Sequence, residues 1–125
     1  MHLRLICESL FSLLRTEWEL HLHKDRPLYA LLEGATDAKL KQNGFSSDEI
    51  CHAMDVACLL YIKRVMCLQH SVAVTMLLRK NGHYAEVVIG AEIAQASFHA
   101  WAEMNGRVLN DKPYVHDLYR ELYRC

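Results

Sequence analysis

Apolar residues near the amino terminus recur three, four and seven positions apart, the spacing of one face of a helix. This pattern predicts an amphipathic helix that runs to about Trp18. In residues 21–44 proline and glycine break the periodicity, so we interpret that segment as a connection containing one short helix. The apolar positions of the first helix are Leu3, Ile6, Leu10, Leu13 and Leu14.

A second helix is predicted to begin after Ser46. The Ser46 side chain can accept a hydrogen bond from the backbone of Glu49, the Glu49 side chain can return one, and Phe45 can pack onto Ile50. The apolar positions that follow form one stripe, which predicts a helix with a single buried face. They are Ile50, Ala53, Met54, Ala57, Leu60, Tyr61 and Val65.

A third helix is predicted to begin at Cys67. Its sequence, CLQHSVAVTMLLRKNG, is apolar on nearly all sides from Val72 to Leu78, which is the pattern of a helix enclosed by the core. Basic residues occupy the last turn and Gly82 follows, and together these form a C-cap signal. The helix should therefore be buried and should end just before Gly82.

Strand-forming residues replace the helical pattern after Gly82. Three runs, YAEVVIGAEI (84–93), SFHAWAEM (97–104) and RVLND (107–111), predict about three antiparallel strands. Helices followed by a meander of strands predict an α+β fold, with the buried helix packed on a small antiparallel sheet.

The carboxy-terminal tail, YVHDLYRELYRC, predicts a short helix, because Leu118 and Leu122 lie four positions apart. We treat the chain as a single domain, 1–125. Its parts are a helical amino-terminal part (1–45), a core that holds the candidate chemistry (46–111) and the tail or short helix (112–125).

Composition limits the partners that the protein can have. The chain has 125 residues, of which 52% are hydrophobic and 23% charged, with a net charge of −1, as expected for one globular domain. This balance gives no electrostatic basis for binding nucleic acid or an anionic membrane. No run reaches the roughly 18 apolar residues of a membrane-spanning helix. We therefore expect neither nucleic acid nor membrane as a partner.

The cysteines indicate a reducing compartment, because they follow no disulfide or metal-ligand spacing. The apolar amino-terminal stretch contains Arg4 and Glu8 and no cleavage site, so we expect a cytoplasmic protein without a signal peptide. His21-x-His23 has no third ligand at a suitable spacing, so we expect no metal and no cofactor. The cysteines are Cys7, Cys51, Cys58, Cys67 and Cys125.

The stretch SFHAWAEMNGRVLND places a histidine and an aspartate on two successive strands. A two-residue Asn-Gly loop would point His99 and Asp111 to opposite faces of the sheet. A three-residue loop beginning at Met104 would set them opposite each other and would also pair Glu103 with Arg107. We predict the three-residue loop, because it matches opposite charges across the strands.

Cys67 is the third candidate of a catalytic set. A thiol in the first turn of a buried helix meets the positive end of the helix dipole and free backbone N–H groups, which favour the thiolate and can hold an oxyanion. Asp111 would orient His99, the imidazole would accept the thiol proton, and the thiolate would attack an acyl carbon. Free cysteines at helix starts are also common as small core residues, so the spacing alone leaves both interpretations open.

Several motifs occur in order across residues 50–111. They are Cys67-Leu68 with Ser71, Leu77-Leu78-Arg79 with Gly82, Ile89-Gly90, His99-Ala100-Trp101 with Glu103, and finally Gly106, Val108, Asn110 and Asp111. In this order they resemble the transglutaminase-like (papain-type) cysteine peptidases of lasso-peptide biosynthesis. These are the B proteins that remove the leader from the precursor peptide.

The resemblance implies a leader peptidase that works through a thioester, with Cys67 as the nucleophile, His99 as the base and Asp111 as the orienting carboxylate. It also implies a precursor peptide as substrate and an asparagine-synthetase-like lasso cyclase as the next enzyme. Because no leader-recognition module precedes the peptidase in this sequence, we expect a separate leader-recognition protein.

Two further residues are candidate substrate contacts. His70 departs from the expected Cys-Leu-x-x-Ser pattern beside the nucleophile, and Trp101 shares the face of His99 in the predicted register. Trp101 fits equally well as a shield for the His–Asp pair or as a plain core residue. Two alternative functions also stay open at this point: a non-catalytic module of the same fold that binds the precursor or a partner, and acyl transfer to an amine.

Overall fold

Three long helices precede a small antiparallel sheet in the computed structural model, which describes residues 3–22, 30, 32, 45–92 and 94–125. The predicted α+β class is therefore confirmed. The elements are α1 (Leu3–Leu22), α2 (Ser47–Leu60), α3 (Cys67–Lys80), β1 (Glu86–Glu92), β2 (Ser97–Met104), β3 (Arg107–Val108), α4 (Val115–Leu118) and β4 (Arg120–Arg124).

The first helix is confirmed, but its buried face differs from the predicted one. Leu3 and Leu14 are exposed, and the helix continues past Trp18 to Leu22. The prediction was wrong at these two residues. α1 has apolar side chains on two sides, and the spacing of apolar residues does not distinguish the buried side from the exposed one. The buried residues of α1 are Leu5, Ile6, Ser9, Leu13 and Thr16.

Most of the predicted connection at 21–44 lies outside the described residues, and so does His23 of the His21-x-His23 pair. Within it the structure describes the end of α1 and two single residues, Ala30 and Leu32. Leu32 is buried and packs with Val72 and Val87.

The capping box of α2 is confirmed in both directions. The Ser46 hydroxyl accepts a hydrogen bond from the Glu49 backbone N–H, and the Glu49 carboxylate accepts one from the Ser46 backbone N–H, both at 3.2 Å. The predicted stripe is buried as far as Ala57. Leu60 is exposed, because α2 ends there and the chain leaves the helical path.

The third helix begins at Cys67 and is buried, as predicted. Every side chain from Val72 to Leu78 except Met76 is buried. At the carboxyl end Gly82 adopts a φ of +86°, and the His83 N–H bonds to the Leu78 carbonyl at 2.9 Å. α3 packs against α1 and α2 on one side and against β2 and β1 on the other.

The sheet has four strands in the order β3-β2-β1-β4, all antiparallel. The fourth strand corrects the prediction for the tail, because only α4 is helical and Arg120–Arg124 pairs with β1. The sequence RELYR shows no alternation of apolar and polar residues, and the four-residue leucine spacing favoured a helix. The open edge of β1 makes this segment a strand instead by supplying backbone hydrogen-bond partners.

Candidate active site

Cys67 is the first residue of α3 and is partly buried. The residue before it, Met66, makes no side-chain cap, and the first turn contains no acidic residue. The backbone N–H groups of this turn are therefore not capped by a side chain, and no carboxylate within the turn neutralises the positive end of the helix dipole. This end of α3 can accommodate an anion beside the thiol.

The hairpin after β2 has a two-residue loop, so the predicted three-residue loop is wrong. Met104 pairs with Arg107, and the two loop residues, Asn105 and Gly106, have φ values of 54° and 78°. These positive values are those of a type I′ turn, which matches the twist of the flanking strands and favours Asn-Gly. Local turn geometry thus outweighs the charge pairing on which the prediction rested.

Asp111 nevertheless contacts His99, because its segment no longer pairs with β2 as a strand. β3 ends at Val108. Beyond it, the Asn110 side chain accepts the hydrogen bond that a strand carbonyl would otherwise accept: its Oδ1 accepts the Ala102 backbone N–H at 2.7 Å. The chain bends there, and the Asp111 carboxylate contacts Nε2 of His99. Its other oxygen accepts the Lys112 backbone N–H at 2.7 Å.

The His99–Asp111 contact determines which imidazole nitrogen is available for chemistry. A carboxylate at Nε2 favours the tautomer with the proton on Nε2, so Nδ1 keeps its lone pair. Nδ1 is therefore the nitrogen that can accept a proton from a nucleophile. The predicted contact between His99 and Asp111 is confirmed, although by a different backbone path from the one expected.

Asn110 connects this pair to the start of α3. Its Nδ2 donates to Ser71 Oγ at 3.0 Å, and the Ser71 hydroxyl donates to the Cys67 carbonyl at 2.7 Å. One side chain thus joins β2, the segment carrying Asp111 and the turn carrying Cys67. Among the described residues, hydrogen bonds link His99 to Asp111 but none links the Cys67 thiol to His99, a separation common in enzymes without bound substrate.

His70 lies in the first turn of α3, close to two acidic side chains in electrostatic terms. Burial lowers the pKa of His70, and the negative charges of Asp55 and Asp111 oppose that shift. The His70 side chain is largely buried, and its Nε2 lies 3.8 Å from Asp55 Oδ1. A contact between His70 and substrate stays a prediction.

Two aromatic rings hold the His99 imidazole. Its centroid lies 5.3 Å from that of Tyr119 and 6.2 Å from that of Trp101, and the two ring planes are inclined to it by 28° and 29°. Trp101 is 1% exposed and donates its indole N–H to Glu103 at 2.6 Å. The indole supports the imidazole from the core, and a substrate contact at Trp101 stays a prediction.

The predicted Glu103–Arg107 pair is also wrong. Glu103 is buried and accepts from the Arg124 guanidinium of β4 at 3.1 Å, while Arg107 lies 3.3 Å from Asp48. Glu103 therefore joins the Trp101 indole to the last strand.

A family model for the transglutaminase-like superfamily matches residues 10–124, nearly the whole chain. The chain belongs to the transglutaminase-like superfamily. Members of this superfamily are usually cysteine-dependent enzymes, either peptidases or acyltransferases. Comparison with curated proteins found no match, and comparison with solved structures found none either.

Sequence reasoning did not place two residues of this transglutaminase-like site, Tyr119 and Gly90, beside the imidazole. Tyr119 lies in the tail, where a helix was expected, and no local signal placed it beside β2. Gly90 pairs with His99 across the sheet, and a Cβ there would lie 2.7 Å from Tyr119 Cβ and 2.8 Å from the Trp101 ring. Glycine thus leaves the space that both rings occupy beside the imidazole.

We expect Asn110→Ala to lower kcat by about ten- to a hundredfold with little change in KM, because the turn carrying Cys67 and the segment carrying Asp111 lose their common anchor. Stability should fall by about 1–3 kcal/mol, since the partly buried Ala102 N–H loses its acceptor. Asn81→Ala is the matched control. It removes a side-chain bond to the Leu77 carbonyl at the other end of α3. Equal losses of kcat in both variants would exclude a positioning role for Asn110.

In this transglutaminase-like protein, burial raises the pKa of three other thiols, those of Cys51, Cys58 and Cys125. Burial raises the pKa of Cys51 to about 11 and that of Cys58 to about 11, and Asp55 adds to both shifts. Burial also raises the pKa of Cys125. Because the folded protein holds these thiol protons more tightly than the unfolded chain does, its free energy of unfolding should fall as the pH rises from about 9 to about 11. These cysteines pack as small apolar residues.

Alkylation of the native protein with iodoacetamide at neutral pH should modify Cys67 well before Cys51 and Cys58, because only the thiolate reacts. Peptide mapping by mass spectrometry over a time course measures the order. Protein unfolded in urea is the control, and there the three thiols should react at similar rates. Earlier labelling of Cys51 than of Cys67 in the native protein would contradict the burial difference.

No three potential metal ligands lie together in the described part of the chain. Within the same residues, no helix is both long and apolar enough to cross a bilayer.

Proposed function

We propose that this transglutaminase-like protein is a cysteine peptidase that removes the leader from a ribosomally synthesised lasso-peptide precursor. The observation that carries the proposal is the His99–Asp111 pair joined through Asn110 to the turn that begins at Cys67. The ordered motifs from Cys67 to Asp111 support the lasso-peptide substrate, because they resemble those of the leader peptidases.

The proposed reaction begins with proton transfer from the Cys67 thiol to Nδ1 of His99. The thiolate attacks the carbonyl carbon of the scissile bond, and backbone N–H groups at the start of α3 stabilise the oxyanion. The imidazolium then protonates the leaving nitrogen, which departs as the new amino terminus of the core peptide. Asp111 stabilises the imidazolium throughout.

A thioester then joins the leader to Cys67. His99 takes a proton from water, and the resulting hydroxide attacks the thioester, releasing the leader with a free carboxylate and restoring the thiol. The freed amine of the core peptide is the group that a lasso-forming cyclase similar to asparagine synthetases would join to a side-chain carboxylate. We therefore propose such a cyclase as the next enzyme.

We also propose that a separate leader-recognition protein delivers the precursor, and that the reaction takes place in the cytoplasm. Binding energy from a part of the peptide remote from the cut bond can supply orientation that a small peptidase does not provide alone. The five free cysteines suit a reducing compartment.

Mass spectrometry of a precursor peptide incubated with this protein tests the proposal, with and without the leader-recognition protein. We expect two fragments whose masses add up to the precursor plus one water. An added primary amine separates the alternative, because acyl transfer would yield a leader amide in place of the leader acid. Binding of the precursor without any fragment would favour the non-catalytic module and overturn the peptidase.

A further inference from the structure

The solvent side of α1 carries a second apolar stripe, separate from the buried face. Its members recur three or four positions apart and are all exposed, with Phe11 67% and Trp18 63% exposed. The helix has 20 residues, so the stripe is about 30 Å long. An apolar face of this length marks an interaction surface. The stripe comprises Leu3, Cys7, Phe11, Leu14, Trp18 and Leu22.

We propose that this stripe joins two copies of the chain through an antiparallel pairing of their α1 helices. The stripe is symmetric about its midpoint between residues 12 and 13. In an antiparallel pair centred there, Phe11 lies opposite Leu14 of the second copy, Leu3 opposite Leu22, and the small Cys7 opposite the large Trp18. Each apolar residue meets an apolar partner, as a two-fold interface requires.

Charges beside the stripe favour the same arrangement. Glu8 and Arg15 lie seven residues apart on one flank. In the antiparallel register, Glu8 of one copy lies beside Arg15 of the other, and the two-fold symmetry repeats the pair. Within one copy Glu8 also pairs with Arg4 at 3.1 Å. A parallel pairing would not bring Glu8 and Arg15 together, and it would set the two Cys7 thiols side by side.

The stripe is separate from the candidate active site. α1 faces α3 through its other side, where Gln69 donates to the Leu13 carbonyl at 3.0 Å and Ser12 donates to the Ala73 carbonyl at 2.9 Å. Pairing through the stripe therefore leaves both contacts in place. Dimer formation does not depend on the proposed peptidase activity, and either proposal can fail alone.

A membrane surface suits the stripe less well than a second copy. Membrane-binding helices carry an excess of basic residues on the polar side. Here Glu8 and Arg15 contribute one negative and one positive charge to the flank, and the chain has a net charge of −1.

Sedimentation velocity and light scattering of the full chain give the first test. The wild type should be a dimer at micromolar concentration, and Phe11→Glu or Trp18→Glu should halve the mass while leaving the circular dichroism spectrum of the folded protein unchanged. Leu59→Glu is the matched control, because Leu59 is an apolar residue of α2 that is 85% exposed. It should remain a dimer. A monomeric wild type, or a dimer that survives Phe11→Glu, would overturn the proposal.

Charge exchange tests the register. Glu8→Arg alone and Arg15→Glu alone should each raise the dissociation constant roughly tenfold, since two like-charge contacts replace two opposite ones. Mixing the two single variants should restore dimers, because each supplies the charges that the other lacks. Three results would overturn the antiparallel pair: no restoration on mixing, a Cys7–Cys7 disulfide between copies on mild oxidation, or a monomer that binds anionic vesicles through Phe11.

Discussion

Cys67→Ala is expected to abolish cleavage of the precursor while the fold stays intact. Loss of a catalytic nucleophile typically lowers the rate by on the order of a millionfold, because no other group can form the covalent intermediate. The substitution removes only the thiol. The Cys67 backbone carbonyl still accepts from Ser71, so the first turn of α3 keeps its anchor. Fragment yield by mass spectrometry, with the leader-recognition protein present, measures the effect, and the melting temperature checks the fold.

Cys51→Ala is the matched control for the nucleophile. Its thiol is largely protonated at neutral pH because burial raises the pKa to about 11, so the variant should cleave at close to the wild-type rate. In the wild type, rapid quenching should also trap protein whose mass has increased by that of the leader minus one water, the thioester at Cys67. Continued cleavage by Cys67→Ala would refute the assignment of the nucleophile.

The helical half of the site could be predicted from sequence because its signals are local. Ser46 and Glu49 lie three residues apart and cap each other, and the apolar run from Val72 to Leu78 is followed by a basic last turn and Gly82, which together predict a buried helix. Cys67 directly precedes that run, so its place at the amino end of α3 followed from the pattern alone.

The sheet half depends on interactions between distant residues, which local patterns do not contain. The predicted three-residue loop would have set His99 opposite Asp111 and paired Glu103 with Arg107, whereas Asn105 and Gly106 form a two-residue turn. The contact arises because the Asn110 side chain takes the Ala102 N–H and ends the ladder. A side chain that replaces a strand hydrogen bond leaves no periodic signal.

Asp111→Ala is expected to lower kcat by about 10²–10⁴-fold, the second largest effect on this site. Without the carboxylate, the Nε2 proton of His99 loses its acceptor, and nothing holds the tautomer that leaves Nδ1 free. The imidazolium also loses its counter-charge. Steady-state kinetics measure the rate, and nitrogen NMR of the imidazole reports the tautomer. It should change from mainly Nε2-protonated in the wild type to a mixture in the variant.

The surface pair His116–Asp117 supplies a control of the same chemistry, with Nε2 of His116 3.5 Å from the Asp117 carboxylate. Asp117→Ala should leave kcat unchanged, because both side chains of that pair are exposed and, among the described residues, neither hydrogen-bonds to His99, Asp111 or Cys67. Asp111→Asn should lie between wild type and Asp111→Ala. Asp111 accepts from both His99 and Lys112, and an amide has only one oxygen to offer those two donors. A loss of kcat in Asp111→Ala without a change of tautomer would show that the carboxylate acts through its charge and does not orient the ring.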